Sequence, residues 1–483
     1  MVVLAILIVG KIESTNMESS RTWIVFSALS GAEIRRLEVF LDSPYHNQRE
    51  DVKRLLVVMR AARKEGDVPE MELVWKGVYP GKPFQLADLR HLLNYFLRAV
   101  ERFLVLRKMD EDEAMGSMLL AEAYLDHDLG ELAGSRLRRA TQQIGKMKGG
   151  GPERIQHGIR RAELDYKSHA AKGRSFKAGL QEISDQVDRW FAAQKLKYAC
   201  TMLSQRNVFK ADYELDFISE IVDRVSAGQL RDEPLVAIYF ATYRMLMEDD
   251  SRIAFQEQIQ LLEQYGDLLS HPDLRSLYLM SINFWIRQLN RGAQDAAERV
   301  YQLYQKGLGE GWLIQNNELS PYTYKNVVAA GLKLKEYREV GRFIEQYRKR
   351  LPEGVRYSYY QTSLAEVELA QGHWREVLRI LRFVQHRDPL AQLRARIMQI
   401  KAGYELGEIQ IIEYQLDNLR QLLRRRKELA YHREAYANFE RFLRRLLSLM
   451  PGDSKQEEKL IGEIRSTDPL PESEWLVKKV EMP

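Results

Sequence analysis

The sequence predicts an all-α protein: an N-terminal helical domain followed by an antiparallel solenoid of helical hairpins. Three observations carry that prediction. Apolar residues recur at three- and four-residue spacing along most of the chain, as in helices that bury one face. Among 483 residues only 14 are Pro and 29 Gly, so long stretches lack the residues that break helices. The breaks that occur are short and closely spaced, which makes successive helices antiparallel neighbours. Strand-like alternation with Asn-Gly or Asp-Gly turns is absent. The 45% apolar share belongs to a globular rather than a disordered chain. One cysteine, Cys200, removes disulfide frameworks and Cys-based zinc sites and suits a reducing compartment.

Residues 1–26 are expected to form a poorly ordered segment. The opening Met1-Val-Val-Leu-Ala-Ile-Leu-Ile-Val-Gly10 imitates the apolar part of a signal peptide. No basic residue precedes it, however, and no small-x-small cleavage site follows. It is also too short for a hydrocarbon core that needs about 20 residues. A start of translation at Met17 is the simpler expectation. No other run approaches membrane-spanning length, so a cytoplasmic protein without a membrane partner is expected.

The N-terminal helical domain is expected over 27–108. Ser30-Gly-Ala-Glu33 has the spacing of a capping box, with Ile34, Leu37, Phe40 and Leu41 on one helical face behind it. Pro44 disfavours α conformation at Ser43, so this helix must stop near Asp42. Asn47 and Glu50 are spaced to cap a second helix, whose buried stripe is Val52, Leu55, Leu56 and Met59. A short helix near Glu70–Lys76 leads to the turn Pro80-Gly-Lys-Pro83. Leu86, Leu89, Leu93, Phe96, Leu97, Val100 and Leu104 then mark a long amphipathic helix. Phe40-Leu-Asp-Ser-Pro-Tyr-His-Asn47, Tyr79-Pro-Gly-Lys-Pro-Phe84, Leu89-Arg90 and Glu101-Arg-Phe-Leu104 together resemble an uncharacterised all-helical family of Bacteroidetes bacteria. The resemblance implies a fold style and a lineage, and no activity. Tyr45 and His46, between two helix ends, read as structural residues.

A helical-repeat region is expected over 114–270, with clearer repeats over 271–450 and an acidic C-terminal tail at 451–483. Helix breaks are read at Gly130, Gly149-Gly-Gly-Pro152, Gly173, Gly228, Asp249-Asp250, His271-Pro272, Gly292, Gly307-Leu-Gly-Glu-Gly311 and Pro352. Tyr337 precedes Pro352, and Trp374 precedes Pro389, by 15 residues each. Each aromatic follows a helix pause, and each Pro is read as ending the second helix of a pair. This pattern resembles the tetratricopeptide repeat (TPR), in which an aromatic opens the second helix and a Pro follows it. Gly407 suggests a third unit, and Gly292 with Ala297, Tyr301 and Tyr304 an earlier one. The match departs from the repeat pattern at Gly331 and Glu368, which stand where a large first-helix aromatic is usual.

No catalytic pattern emerges. Gly149-Gly-Gly-Pro-Glu153 lacks the Lys and the preceding strand of a phosphate-binding loop. Gly307-x-Gly-x-Gly311 follows a helix, so a dinucleotide site is not expected there. The nine His never pair three or four apart, which leaves metal binding without a starting point. Cys200 reads as a small core residue. No enzyme, cofactor or metal is therefore expected.

Charge is more informative when divided. Residues 136–177 hold 12 Lys and Arg against three Asp and Glu, and residues 331–450 hold 24 against 15. The tail is acidic, with five against eight. On the helix opening at Trp374, Arg375, Arg379, Arg382 and His386 fall within a band of about 60°, opposite Val377, Leu381 and Val384. Arg420, Arg424 and Lys427 repeat the spacing. Equivalent positions in stacked repeats line one surface, so Arg375, Arg379, Arg382, Arg420 and Arg424 are the candidate partner-binding residues. The expected function is a non-enzymatic scaffold that binds another protein through an acidic or extended segment. The alternative is an RNA-binding helical-repeat protein using 136–177 and 331–450, although base-stacking aromatics are not evident beside those cations.

Overall fold

A computed structural model describes residues 17–170, 179–209, 212–248, 251–386, 388–425, 429–449 and 454–481. The fold is all-α. The described residues divide into two compact units. The first takes those up to Met147 together with Pro152–Phe191, and the second takes Lys148–Gly151 and those from Ala192 onward. The breaks read at Gly173 and Asp249-Asp250, the residue Lys427, and the apolar opening of the chain lie outside the described residues.

The first unit contains α1 (Arg21–Ala28), α2 (Gly31–Asp42), α3 (Glu50–Glu65), α4 (Met71–Val78), α5 (Leu86–Glu111), α6 (Glu113–Asp126), α7 (Gly130–Lys146), α8 (Pro152–Ala170) and the first turns of α9 (Leu180–Phe209). The Ser30–Glu33 capping box is formed in full, and α2 stops at Asp42. Residues 17–26 correct the expectation of a poorly ordered segment. Met17, Trp23 and Phe26 are buried among Leu37, Leu55, Met59, Val74, Leu89 and Phe96, because α1 supplies apolar side chains that this small core needs. Asn47 does not cap α3 either. Its Oδ1 accepts from the Arg49 amide at 3.1 Å while its Nδ2 donates to the carbonyls of Leu41 and Arg49, so it ties the loop down before α3 begins at Glu50. His46 stacks on Phe40 at 4.2 Å between ring centroids, and Tyr79 donates its hydroxyl to Asp51, which Arg49 also grips. The Ser-Pro-Tyr-His-Asn and Pro-Gly-Lys-Pro stretches thus serve the packing of this domain.

The second unit continues α9 and adds α10 (Ile218–Ser226), α11 (Pro234–Met247), α12 (Arg252–Tyr265), α13 (His271–Asn290), α14 (Ala296–Gly309), α15 (Pro321–Lys333), α16 (Tyr337–Tyr347), α17 (Glu353–Ala370), α18 (Trp374–Leu381), α19 (Pro389–Glu405), α20 (Ile409–Arg425), α21 (Ala430–Leu447), α22 (Ser454–Ser466) and α23 (Ser473–Glu481). Helices pack in sequential pairs, α13 with α14, α15 with α16, α17 with α18 and α19 with α20. The first helix of one pair also packs on the first helix of the next, α15 on α17 and α17 on α19.

One turn recurs between the two helices of each pair. Gly292, Lys335, Gly372 and Gly407 all adopt positive φ. The next amide donates back to the carbonyl five residues earlier: Ala293 to Gln288, Glu336 to Gly331, His373 to Glu368 and Glu408 to Gly403. This is a Schellman C-cap, which satisfies carbonyls left open at the helix end. Four residues before the left-handed position, Gly331 lets the second helix approach closely: a Cβ there would stand 2.4 Å from Val340 Cγ2. That contact is why a small residue occupies a place where the sequence comparison expects an aromatic.

Four further expectations change. Pro352 stands at the N-cap of α17 and Pro389 is the first residue of α19, so both precede a helix rather than end one, at positions where no amide donor is needed. A two-residue hairpin, β1 (Ile314–Gln315) with β2 (Glu318–Leu319), turns at Asn316-Asn317, both at positive φ. The acidic tail is not a tail: α22 and α23 bury Leu460, Ile464, Leu476 and Val480 in one core with α19–α21. The unit boundary falls within α9, between Phe191 and Ala192, rather than near residue 108 or 270. No helix among the described residues is long and apolar enough to cross a membrane.

Candidate functional site

The first helices of three successive hairpins each present a face spaced by three, four and three residues. On α15 it carries Tyr322, Lys325, Ala329 and Leu332; on α17, Tyr359, Thr362, Glu366 and Leu369; on α19, Ala391, Arg394, Met398 and Lys401. Two cavities, of about 590 and 70 Å³, open along these faces, and both are lined by Glu366 and Arg394. Both helices of each pair contribute aliphatic side chains to the hairpin core, Ala365, Leu369 and Met398 from first helices beside Val377 and Leu381 from a second.

Glu366 is the centre of the arrangement. It is 5% exposed, on a helix so enclosed that Ser358, Tyr359, Tyr360, Thr362, Ser363, Ala365 and Val367 are buried as well. Arg394 Nε stands 2.8 Å from Glu366 Oε1. The N–H does not point at the oxygen, however, and neither carboxylate oxygen has a hydrogen-bond donor among the described residues. Burial raises the Glu366 pKa above its ordinary value, opposed by the charges of Arg394 and Lys325. Burial likewise lowers the Lys325 pKa, helped by Arg394 and opposed by Glu366 and Asp388. Unmet buried charge is costly, since desolvation is repaid only by well-aimed partners. A buried carboxylate with a raised pKa in a cavity is a candidate functional group.

The smaller cavity adds Tyr359, His386 and Asp388. Burial pushes the Tyr359 phenol up to about 12 and holds the His386 imidazole below its ordinary range. His386 Nε2 lies 2.8 Å from Thr362 Oγ1. That pair has the reach of a nucleophile and base, but His386 Nδ1 has no partner among the described residues to orient it. Asp388 instead caps α19 by accepting from the Leu390 amide. A volume near 70 Å³ admits about two waters. Hydroxyl catalysis would need a third group to orient the imidazole and room for a substrate beside the hydroxyl.

The C-terminal helix builds the far wall of the larger cavity with Trp475, Lys478 and Lys479. It is held there by Lys401 Nζ to Glu472 Oε2 at 2.7 Å and by Lys479 Nζ to Glu405 Oε2 at 2.8 Å. Tyr404 meets Trp475 edge-on at 5.3 Å. Trp374, Leu332, Leu369, Ile397 and Met398 make the remaining wall largely apolar.

The candidate arginines lie elsewhere. Arg375 and Arg379 are exposed on α18, Arg382 caps its C-terminus, and Arg420 and Arg424 lie on α20. Arg379 Nε donates to both Glu376 oxygens at 2.9 Å. Arg420 pairs with Asp417 and Glu440. Arg375 and Arg424 make no ion pair with a described residue. His386, expected on the same outward band, is buried because α18 ends at Leu381 and the chain turns inward. Nor do the two groups occupy equivalent positions. Counted from the paired turn glycines Gly372 and Gly407, the counterparts of Arg375, Arg379 and Arg382 are Gln410, Tyr414 and Asp417. The repeat therefore does not generate one basic strip.

The glycine runs carry backbone roles. Gly149 and Gly151 donate their amides to the carbonyls of Asp267 and Leu268, both at 2.7 Å, which takes those amides from any phosphate. Gly307 packs against Trp312, and Trp312 stacks on Tyr278 at 4.6 Å. Cys200 is buried, donates to the Tyr239 carbonyl and has its thiol pKa pushed up by burial. Among the described residues no group of three or more His, Cys, Asp and Glu converges as a metal site.

Sequence periodicity missed Glu366 because α17 is enclosed on most sides and has no clean polar face. The available signal was an acid within Ser358-Tyr-Tyr-Gln-Thr-Ser-Leu-Ala-Glu-Val367, a run otherwise free of charge. No protein-family model, curated protein or solved structure matches this chain.

Proposed function

We propose that the protein is a non-enzymatic scaffold that holds a segment of another protein against the first-helix face of hairpins α15–α20. The observation that carries this reading is Glu366, a buried carboxylate without a hydrogen-bond donor among the described residues, at the junction of two cavities. Recognition explains the retained charge better than folding does, because an incoming donor completes a group that the chain leaves open. Exposed Tyr322, Tyr357, Phe383 and Leu390 lie on the same hairpins and offer apolar contact to an arriving segment. The recurring turns favour a TPR-like stack over about residues 275–430. The kinship of residues 27–108 with a helical Bacteroidetes family, and a cytoplasmic location, belong to the same proposal.

The test is a photo-reactive benzoylphenylalanine placed at Tyr322 and, as a control, at Tyr45 in the other unit. In cells, Tyr322 is expected to yield a discrete adduct that protease removes and nuclease does not, with none from Tyr45. Absence of a site-specific adduct would sink the scaffold reading. RNA binding is the second reading. It is favoured by Arg136, Arg138, Arg139 and Lys146 on α7, none of which makes an ion pair with a described residue. A nuclease-sensitive adduct from α7, weakening steeply with salt, would support that reading instead.

A further inference from the structure

We infer that the 590 Å³ cavity binds an uncharged, extended stretch of polypeptide through its main-chain amides, with Glu366 as the principal acceptor. The inference rests on the scaffold reading and, of its expected acidic or extended segment, keeps the extended chain and makes it neutral.

The charges on the cavity wall decide the class of ligand. Glu366 faces Arg394 at 2.8 Å, Glu472 faces Lys401 at 2.7 Å, and Glu405 faces Lys479 at 2.8 Å. Among the described lining residues each acid already has one cation, and Lys478 is left over. An entering carboxylate or ammonium would have to shed its water into a field that is nearly cancelled, and desolvation would outweigh what it gained. A neutral amide N–H loses far less on entry and meets a charged acceptor, the stronger kind of hydrogen bond.

Geometry points the same way. Both Glu366 oxygens lack a donor among the described residues and are themselves buried, so accepting from a main-chain amide requires the cavity wall to part slightly but not the loss of Arg394. Leu332, Leu369, Ile397, Met398, Trp374 and Trp475 give the side chains of such a segment an apolar bed. Nothing on this wall reads a particular charged side chain, so recognition is by backbone and tolerates many sequences. The cavity is walled by α17 and α19 on one side and α23 on the other, which makes the C-terminal helix part of the site.

The experiment uses the full chain and synthetic peptides. Three sets of N-acetylated, C-amidated nonapeptides are titrated by calorimetry: a neutral mixture of Ala, Ser, Thr and Gln, the same mixture with Glu at alternate positions, and the same with Lys. A fourth set is neutral but has alternate amides replaced by esters, which removes N–H donors and leaves shape nearly unchanged. The neutral set is expected to bind at least tenfold more tightly than the Glu, Lys and ester sets. Glu366→Gln is expected to weaken the neutral set about tenfold and leave the ester set unchanged. Equal affinity for amide and ester, a preference for Glu or Lys peptides, or no binding by any set would each overturn the inference. The ester comparison uses the unaltered protein, so it stands even if Glu366→Gln does not fold. A protein adduct at Tyr322 alongside failed peptide binding would leave the scaffold and remove only the amide mechanism.

Discussion

Two faces of the same hairpins carry charge in opposite ways. On the second-helix side, Arg375, Arg379, Arg382 and Arg424 are exposed, and Arg379 finds its partner Glu376 three residues away on its own helix. On the first-helix side, Lys325, Glu366 and Arg394 come from three separate helices and meet in partly or fully enclosed space. The exposed charges are dense in sequence and nearly free of energetic consequence, because water screens them and their partners are local. The buried ones are sparse in sequence and expensive. Charge density along the chain therefore points to one face, and the cost of burial points to the other.

The largest expected effect breaks the buried pair. Removing Arg394 strands Glu366, which is 5% exposed, whereas removing Glu366 strands Arg394, whose side chain is 34% exposed and can turn to water. Arg394→Met should therefore cost more than Glu366→Leu, about 3 kcal/mol against about 1. The double variant should return to within about 1 kcal/mol of the starting protein, because two apolar groups of similar size need no partner. Urea unfolding followed by hydrogen exchange on α17 reads this cycle locally, which matters in a chain of two units. Equal costs for the two single variants would mean that Glu366 is not the enclosed partner.

A second contrast concerns two glutamates. Glu376, hydrogen-bonded by Arg379, has its pKa lowered from 4.5, while burial raises that of Glu366 from 4.5. Stabilisation from Glu376 is complete above its unfolded value and disappears as pH falls through the lower folded value. For Glu366 the sign reverses: folding takes up a proton between 4.5 and the raised folded value, so the burial cost is fully felt above that window and relieved as pH drops. Side-chain carboxyl titration by carbon NMR should show these two resonances moving on opposite sides of 4.5. The same sign in both would erase the difference between the faces.

How much of this was legible follows from periodicity and its limits. The helical class, the capping box at Ser30, the stop at Asp42 and the pauses before Tyr337 and Trp374 all rest on local chemistry, which sequence records directly. Lys335 is an instructive case. It occupies the same left-handed turn as Gly292, Gly372 and Gly407, yet as a Lys it carries no turn signature, and only the neighbouring pause marked it. Lys335→Gly should stabilise the protein by roughly 0.5–1 kcal/mol, read as a shift in urea midpoint, because Gly adopts that φ without a Cβ clash. Glu366, Lys325 and Arg394 were illegible for a different reason. Counted back from the turn residues Lys335, Gly372 and Gly407, they sit at three different phases of the repeat, with Ala329 and Lys401 at the positions matching Glu366, so no periodic pattern announces them. Only packing of α15, α17 and α19 brings them together.

The smallest expected effect tests the outer face itself. Reversing both Arg379 and Arg382 to Glu removes one ion pair confined to a single short helix and one cation beside the exposed ring of Phe383. The carboxylate introduced by Arg379→Glu would oppose Glu376 at three residues, a repulsion worth a few tenths of a kcal/mol on an exposed helix. Stability should thus change by less than about 0.5 kcal/mol. The decisive readout is the adduct formed at Tyr322, which should persist in the double variant and fall when Glu366 or Arg394 is changed. The opposite result, an adduct that survives changes at Glu366 and is lost on reversal of the two arginines, would return the binding function to the exposed face. The buried charge would then have to be explained by folding alone, against its cost.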